Sequence, residues 1–206
     1  EYTRKQFELF TSVISAVEKK WGRKFKLRHC ANTGATVVYP KTHLDMVRPG
    51  LLLYGYGEHA RMLGLKPVMT MKTNISTIKV YPAGTKVSYG GTYTCPKKTR
   101  MGVVPYGYAD GFLRCFSNNY SLLTSDGEAP VRGKICMDMT MIDLSSCPNV
   151  DVGSEVEIFG ENAPLEKMAE KAGTIPYEIT CNVSKRVPRI YKESGKVVSE
   201  ELMLRF

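Results

Sequence analysis

The residues best suited to chemistry in this chain are tyrosines set among glycines. Ser88-Tyr89-Gly90-Gly91-Thr92-Tyr93 places a phenol beside a glycine pair. Glycine lets backbone approach a ligand closely, so Tyr89 can protrude into a crevice; the same pattern fits a strand tyrosine packed at a bulge. Gly107-Tyr108-Ala109-Asp110-Gly111 is a second such segment. It suits a tight turn that presents a phenol, although Asp-Gly steps also make plain turns. A third is Cys136-Met137-Asp138. A nucleophilic cysteine needs a histidine partner, and His29, His43 and His59 all fall in the first third of the chain. Cys136 therefore reads as a small apolar core residue. In Arg48-Pro49-Gly50, bare N–H groups at the glycine can bind phosphate and the arginine can face a ligand; a loop with a surface arginine has the same sequence. His29, at a strand end, reads as a hydrogen-bonded structural residue.

Composition removes several classes. The chain has 206 residues, 43% hydrophobic and 24% charged, ordinary for a soluble globular protein. No apolar run approaches the roughly 18 residues of a membrane span. Glu1 to Lys5 are charged and lead into an amphipathic segment, which is no signal peptide; a start without Met reads as a fragment boundary. The net charge of +9 is dispersed, and its densest cluster is Lys97, Lys98 and Arg100. That pattern reads as a solvated basic face that attracts anionic small molecules, not as a nucleic-acid patch. Six cysteines form no CxxC pair and no histidine stands at zinc-ligand spacing. We expect free thiols, no metal, and a reducing cytoplasmic setting.

The elements that must position these residues change character along the chain. Phe7, Phe10, Ile14 and Val17 recur at helical spacing, predicting a helix over 3–19 with Thr3 as its cap and Gly22 as its stop. Phe25 to His29 reads as a short strand, Asn32 to Ala35 as a polar turn with a short helix to Val38. After about Gly64 alternation takes over: one run from Val68 to Val80, then strands near 86–93, 101–106, 120–124, 129–135, 139–144 and 155–159, separated by turn residues. A helix over Leu165 to Ala172 ends at Gly173, and a last strand runs through Arg186 to Tyr191. The expected architecture is an α/β piece over 1–64 followed by a mostly β, barrel-like or sandwich domain over 65–206. The first piece is too short to close an eight-stranded α/β barrel, which needs about 250 residues.

In order and spacing these motifs resemble one family. The series is His29-Cys-Ala-Asn-Thr33, Asp45-Met-Val-Arg48-Pro-Gly50, Tyr54-Gly55, Val87-Ser-Tyr89-Gly90, Gly107-Tyr108-Ala-Asp-Gly111, Cys136-Met137-Asp138, Gly173-Thr-Ile, Tyr177-Glu178 and Arg186-Val-Pro-Arg189. It is similar to alanine racemase from the late part of its barrel to its C-terminus, across essentially the whole chain. The resemblance implies the C-terminal portion of a TIM-type (β/α)8 barrel, incomplete here, followed by a β domain. It implies a homodimer that uses pyridoxal 5'-phosphate (PLP) to interconvert L- and D-alanine, supplying D-alanine for peptidoglycan, with no nucleic acid and no membrane as partner.

By the same resemblance Tyr89 matches the catalytic tyrosine, acting as base or acid on the partner subunit's side of the site. Arg48 matches the arginine facing the pyridine nitrogen. Thr33, in place of a more usual serine, Gly50, Leu51 and Tyr177 match phosphate contacts. Tyr108 and Met137, with Asp138 beside them, match residues at the carboxylate end of a small amino-acid substrate. Racemisation removes a proton from one face of a carbon and returns one to the other, so it needs an acid/base group on each face. A tyrosine, with an ordinary pKa of about 10, requires cationic or hydrogen-bonding neighbours for that work. An arginine cannot take up the proton that an aspartate would leave on the pyridine nitrogen; Arg48 should thus favour racemisation over transamination. No segment matches the family's cofactor-bearing lysine, so the 206-residue chain alone is expected to be inactive. The alternatives are a serine racemase of the same fold, against which Tyr177 argues, and a non-catalytic β module that pairs with or regulates a racemase.

Overall fold

The computed structural model describes residues 1–202, which fall into two compact units divided between Val68 and Met69. The first unit opens with α1, Tyr2–Trp21. Its less exposed stripe is Phe7, Phe10, Thr11, Ile14 and Glu18, while Val17 is exposed. Gly22, at φ 71°, ends the helix with its N–H on the Glu18 carbonyl, the left-handed turn that glycine adopts without a Cβ penalty. The expected cap is corrected: Glu1 occupies the N-cap position without a side-chain bond, and Thr3 lies inside the helix.

The expected strand Phe25–His29 is reduced to one parallel bridge, His29 to Met46. Side chains occupy the donors a ladder would use. The Phe25 amide donates to the Glu18 carboxylate at 2.9 Å and the Arg28 amide to Asp45 at 2.9 Å. Asn32 caps α2, Thr33–Val38, by accepting the Ala35 amide at 3.0 Å. A 3-10 turn, Gly50–Tyr54, and α3, Glu58–Met62, complete the unit.

The second unit is mostly antiparallel sheet. Its strands are β1 Met71–Asn74, β2 Thr77–Tyr81, β3 Lys86–Val87, β4 Tyr93–Thr94, β5 Thr99–Val104, β6 Ser121–Thr124, β7 Gly127–Pro130, β8 Thr140–Asp143, β9 Glu155–Phe159, β10 Arg189–Glu193 and β11 Lys196–Glu201. They form sheets ordered β1-β9-β6-β7 and β2-β5-β8, with hairpins β3-β4 and β10-β11. An antiparallel bridge from Val131 to Ile142 joins the chain beyond β7 to β8. The expected run from Val68 to Val80 splits at Ile75, which is buried: its amide turns to the Ser154 carbonyl, and the next amide, of Ser76, to Val103. The chain changes sheets at that pivot. Two helices follow β9: α4, Leu165–Ala172, and α5, Pro176–Asn182. α4 buries Leu165, Met168 and Ala169 at the spacing of one helix face. α5 has no counterpart among the sequence expectations, because seven residues carry too little periodicity.

The core of this unit includes Val104 of β5, Ile142 of β8, Ile158 and Phe159 of β9, and Leu165 and Met168 of α4, while Met101, on the other face of β5, packs with Val87 and Cys95. Beside them Phe112 and Phe116 stack at 5.1 Å between centroids, with Tyr106 5.3 Å from Phe112 and Tyr120 4.8 Å from Phe116. This aromatic column supports the 107–111 turn. Two phenols of this column are held in the neutral form: desolvation and then Asp110 raise Tyr106 well above the ordinary tyrosine range, and desolvation together with Glu128 pushes Tyr120 up to about 12.

Candidate functional site

In the second unit three loops converge. The expected strand over 86–93 breaks into β3 and β4 because Gly90, at φ 72°, and Gly91, at φ 56°, turn the chain through a 3-10 bend at Tyr89–Gly91. Tyr89 projects from that bend and is 72% exposed, so the phenol is free of the core and reaches solvent. Ser88 before it takes φ 62°, a conformation strained for a residue with a Cβ. The bend is held from below. Ser88 Oγ donates to the Lys134 carbonyl at 2.5 Å and lies 3.6 Å from Cys136 Sγ. Cys136 is half-buried, a packing residue between two loops and not part of the core.

The second loop is the 107–111 turn. Tyr108 and Ala109 donate their amides to the carbonyls of Cys136 and Met137, each at 3.0 Å. A Cβ at Gly107 would stand 2.3 Å from the Met137 carbonyl oxygen, so only glycine admits this approach. The 134–138 loop thus contacts both tyrosine turns. Tyr108 and Met137 remain 42% and 52% exposed at this junction. Asp138 carries an exposed carboxylate that accepts from Arg186 at 2.8 Å. Tyr177 sits in the first turn of α5, after Pro176, and is half-exposed. Arg186 and buried Asp110 were not singled out by sequence reading; their signal was two charged residues inside recognisable motifs, without any indication that they meet.

In the first unit the other expected residues gather around one loop. The Arg48 amide donates to the Ala31 carbonyl at 2.9 Å, and its guanidinium to Cys30 at 3.3 Å. The Thr33 hydroxyl donates to the Pro49 carbonyl. Thr33 begins α2, and Gly50 and Leu51 begin the 3-10 turn. The first N–H groups of a helical turn have no partner within it and attract anions. The Gly50 and Leu51 amides and the Arg48 guanidinium are the donors gathered at this loop, where the Thr33 hydroxyl is engaged by the Pro49 carbonyl. The Leu51 side chain is buried, which leaves its contribution to backbone. His29 makes its bridge through backbone, and its ring is exposed. All six cysteines are free, and among the described residues no cluster of acidic, histidine or cysteine side chains could hold a metal. No described helix is long and apolar enough to cross a membrane.

Residues 68–191 match the alanine racemase C-terminal domain model and residues 1–58 the alanine racemase N-terminal domain model. "Alanine racemase 2" of Caldanaerobacter subterraneus subsp. tengcongensis is 42% identical over 204 residues, covering 96% of this chain and 52% of that protein. The Clostridium difficile 630 alanine racemase in complex with cycloserine superposes with a TM-score of 0.89 at 35% identity, over 98% of this chain and 55% of that one. The Bacillus anthracis enzyme with bound L-Ala-P gives 0.87 at 33%, over 97% and 53%. The chain therefore spans about half the length of the relatives it matches. With the family model matching well over half of its residues, the chain belongs to the alanine racemase family.

Proposed function

We propose that this chain supplies the tyrosine face of a PLP-dependent alanine racemase that interconverts L- and D-alanine and so provides D-alanine for peptidoglycan. The observation that carries the reading is the 72% exposed Tyr89, raised on a glycine bend against the loop that also holds Tyr108 and Met137. The B. anthracis relative, with L-Ala-P bound, supports an alanine-sized substrate.

PLP, when bound, supplies the electron sink that makes the α-proton of an amino acid removable. The residues of this chain do the rest. Tyr89 Oη moves a proton at the substrate α-carbon on one face. Tyr108, Met137 and Asp138 line the carboxylate end. The Gly50 and Leu51 amides and the Tyr177 phenol would hold the phosphate, joined by the Thr33 hydroxyl once it turns from the Pro49 carbonyl. Arg48 would face the ring nitrogen and, carrying a permanent charge, would leave it unprotonated. Residues up to about 64 form the end of the barrel, and the cofactor-bearing lysine comes from the half of the family's length that this chain does not cover. The assembly is a cytoplasmic homodimer in which Tyr89 serves the partner's cofactor.

A chimera tests this directly, with the chain replacing the corresponding half of the Caldanaerobacter relative. It is expected to racemise alanine with PLP, in preference to serine, while the 206-residue chain alone does not. Tyr89→Phe is expected to lower racemisation by about 10²- to 10⁴-fold. In D2O the variant should still exchange the α-proton of one enantiomer, because the opposite face keeps its base. A loss of only a few-fold, or exchange of both enantiomers at the parental rate, would show that the phenol is no base.

A further inference from the structure

One guanidinium in the second unit meets two carboxylates from separate loops. Arg186 Nε donates to Asp110 Oδ1 at 2.8 Å, and Nη2 donates to Asp138 Oδ1 at 2.8 Å. Asp110 is buried, and its other oxygen accepts the Gly107 amide at 2.8 Å, closing the turn that carries Tyr108. Asp138 follows Met137 directly. The chain leaving α5 lies over the same turn. Ser184 donates its amide to the Asp110 carbonyl at 3.1 Å, and a Cβ on Gly111 would stand 2.4 Å from the Asn182 carbonyl oxygen. This segment delays the expected last strand, which begins at Arg189 and not at Arg186.

We infer that Arg186 is a positioning residue for the carboxylate end of the substrate, locking the Tyr108 turn onto the Met137-Asp138 loop. The inference rests on the proposed roles of Tyr108 and Met137. A planar fork with donors on two edges is required, since a lysine ammonium is a point charge that cannot span both loops in this way. The bonds are charge-assisted, and the Asp110 and then the Asp138 carboxylate raise the guanidinium still further above its ordinary range. The Tyr89 bend rests on the near end of that same loop, at Lys134 and Gly133, whereas the two Arg186 bonds fall on Asp110 and on Asp138 at its far end. Loss of Arg186 therefore disturbs substrate binding more than proton transfer.

Two measurements decide the matter. In the chimera, Arg186→Gln is expected to raise the KM for L-alanine about tenfold while kcat stays within about threefold of the parent. Arg186→Lys should recover part of the loss, and Asp138→Asn, which spares the buried carboxylate, should give a smaller rise in KM. In the 206-residue chain itself, Arg186→Gln should speed amide exchange at Tyr108 and Ala109 by about tenfold or more, with β5 amides unchanged. An unchanged KM, or a fall in kcat without a rise in KM, overturns the inference although the racemase reading stands. A parent chimera that fails to racemise removes the racemase reading instead. Exchange then decides alone: unaltered protection at Tyr108 and Ala109 overturns the clamp, and faster exchange upholds it.

Discussion

A methyl group added at Gly133 would lie 2.6 Å from Ser88 Cβ and 2.9 Å from the Val87 carbonyl oxygen, at a φ of 79° that L-residues avoid. Backbone cannot yield as a flexible side chain can, so Gly133→Ala is expected to destabilise the chain by about 1–3 kcal/mol, read as a lowered midpoint in urea. The same push falls on the bend that presents Tyr89, and in the chimera kcat should drop more than KM rises. A variant with parental stability and kcat would mean that the bend is set from within. Single residues also show what could be read without coordinates. Tyr89 and Tyr108 drew attention because glycines flank them, whereas Met137 entered only through the family resemblance of its motif. Arg186 did not stand out, because its partners stand 48 and 76 residues away in sequence, and no local pattern encodes a contact at that range.

At the scale of elements, the turn after β9 depends on Glu157. Its carboxylate is buried and accepts the Asn162 amide at 2.9 Å, the Ala163 amide at 3.0 Å and the Asn162 side chain at 3.0 Å. Burial is the largest influence and opposes ionisation, but the three hydrogen bonds and Lys72 together outweigh it and hold the group below the ordinary carboxylate range. A depressed folded value stabilises the fold above the unfolded pKa of about 4.3, and that contribution is lost as pH falls through the folded value. Thermal midpoints from pH 7 to pH 3 should therefore separate the parent from Glu157→Gln at neutral pH and converge below about pH 4. Glu18 and Asp45, lowered first by their bonds to Lys24 and Arg28, titrate in both proteins and cancel in the difference. A constant gap across the range would refute the assignment. The elements themselves were legible where one face decides them. α1 and α4 follow their apolar spacing, and the β6-β7 hairpin follows alternation and a turn at Asp126-Gly127, whereas β9 alternates in sequence but is buried on both faces. They were illegible where long-range partners intervene: Ile75 leaves one sheet for another, and carboxylates take the amides of the Phe25–His29 segment.

For the whole molecule, the expected cofactor contacts Thr33, Arg48, Gly50 and Leu51 lie in the first unit, and the remaining one, Tyr177, lies in the second with Tyr89, Tyr108 and Met137. If one subunit of a two-fold dimer completes the site of the other, the two sets never need to act within one chain. Mixing distinguishes that arrangement from a self-contained one. One chimera carries Tyr89→Phe, and a second lacks the cofactor lysine in its N-terminal half; each alone is inactive. After unfolding together and refolding, about half of the dimers combine the two chains. If Tyr89 serves the partner's cofactor, each mixed dimer holds one site with both bases intact and one with neither, and about a quarter of parental activity returns. If the phenol serves its own subunit, every site in a mixed dimer lacks one base and nothing returns. Activity that stays absent after verified mixing, with parental refolding as the control, would therefore place Tyr89 in the wrong subunit while leaving its exposed bend and its chemistry untouched.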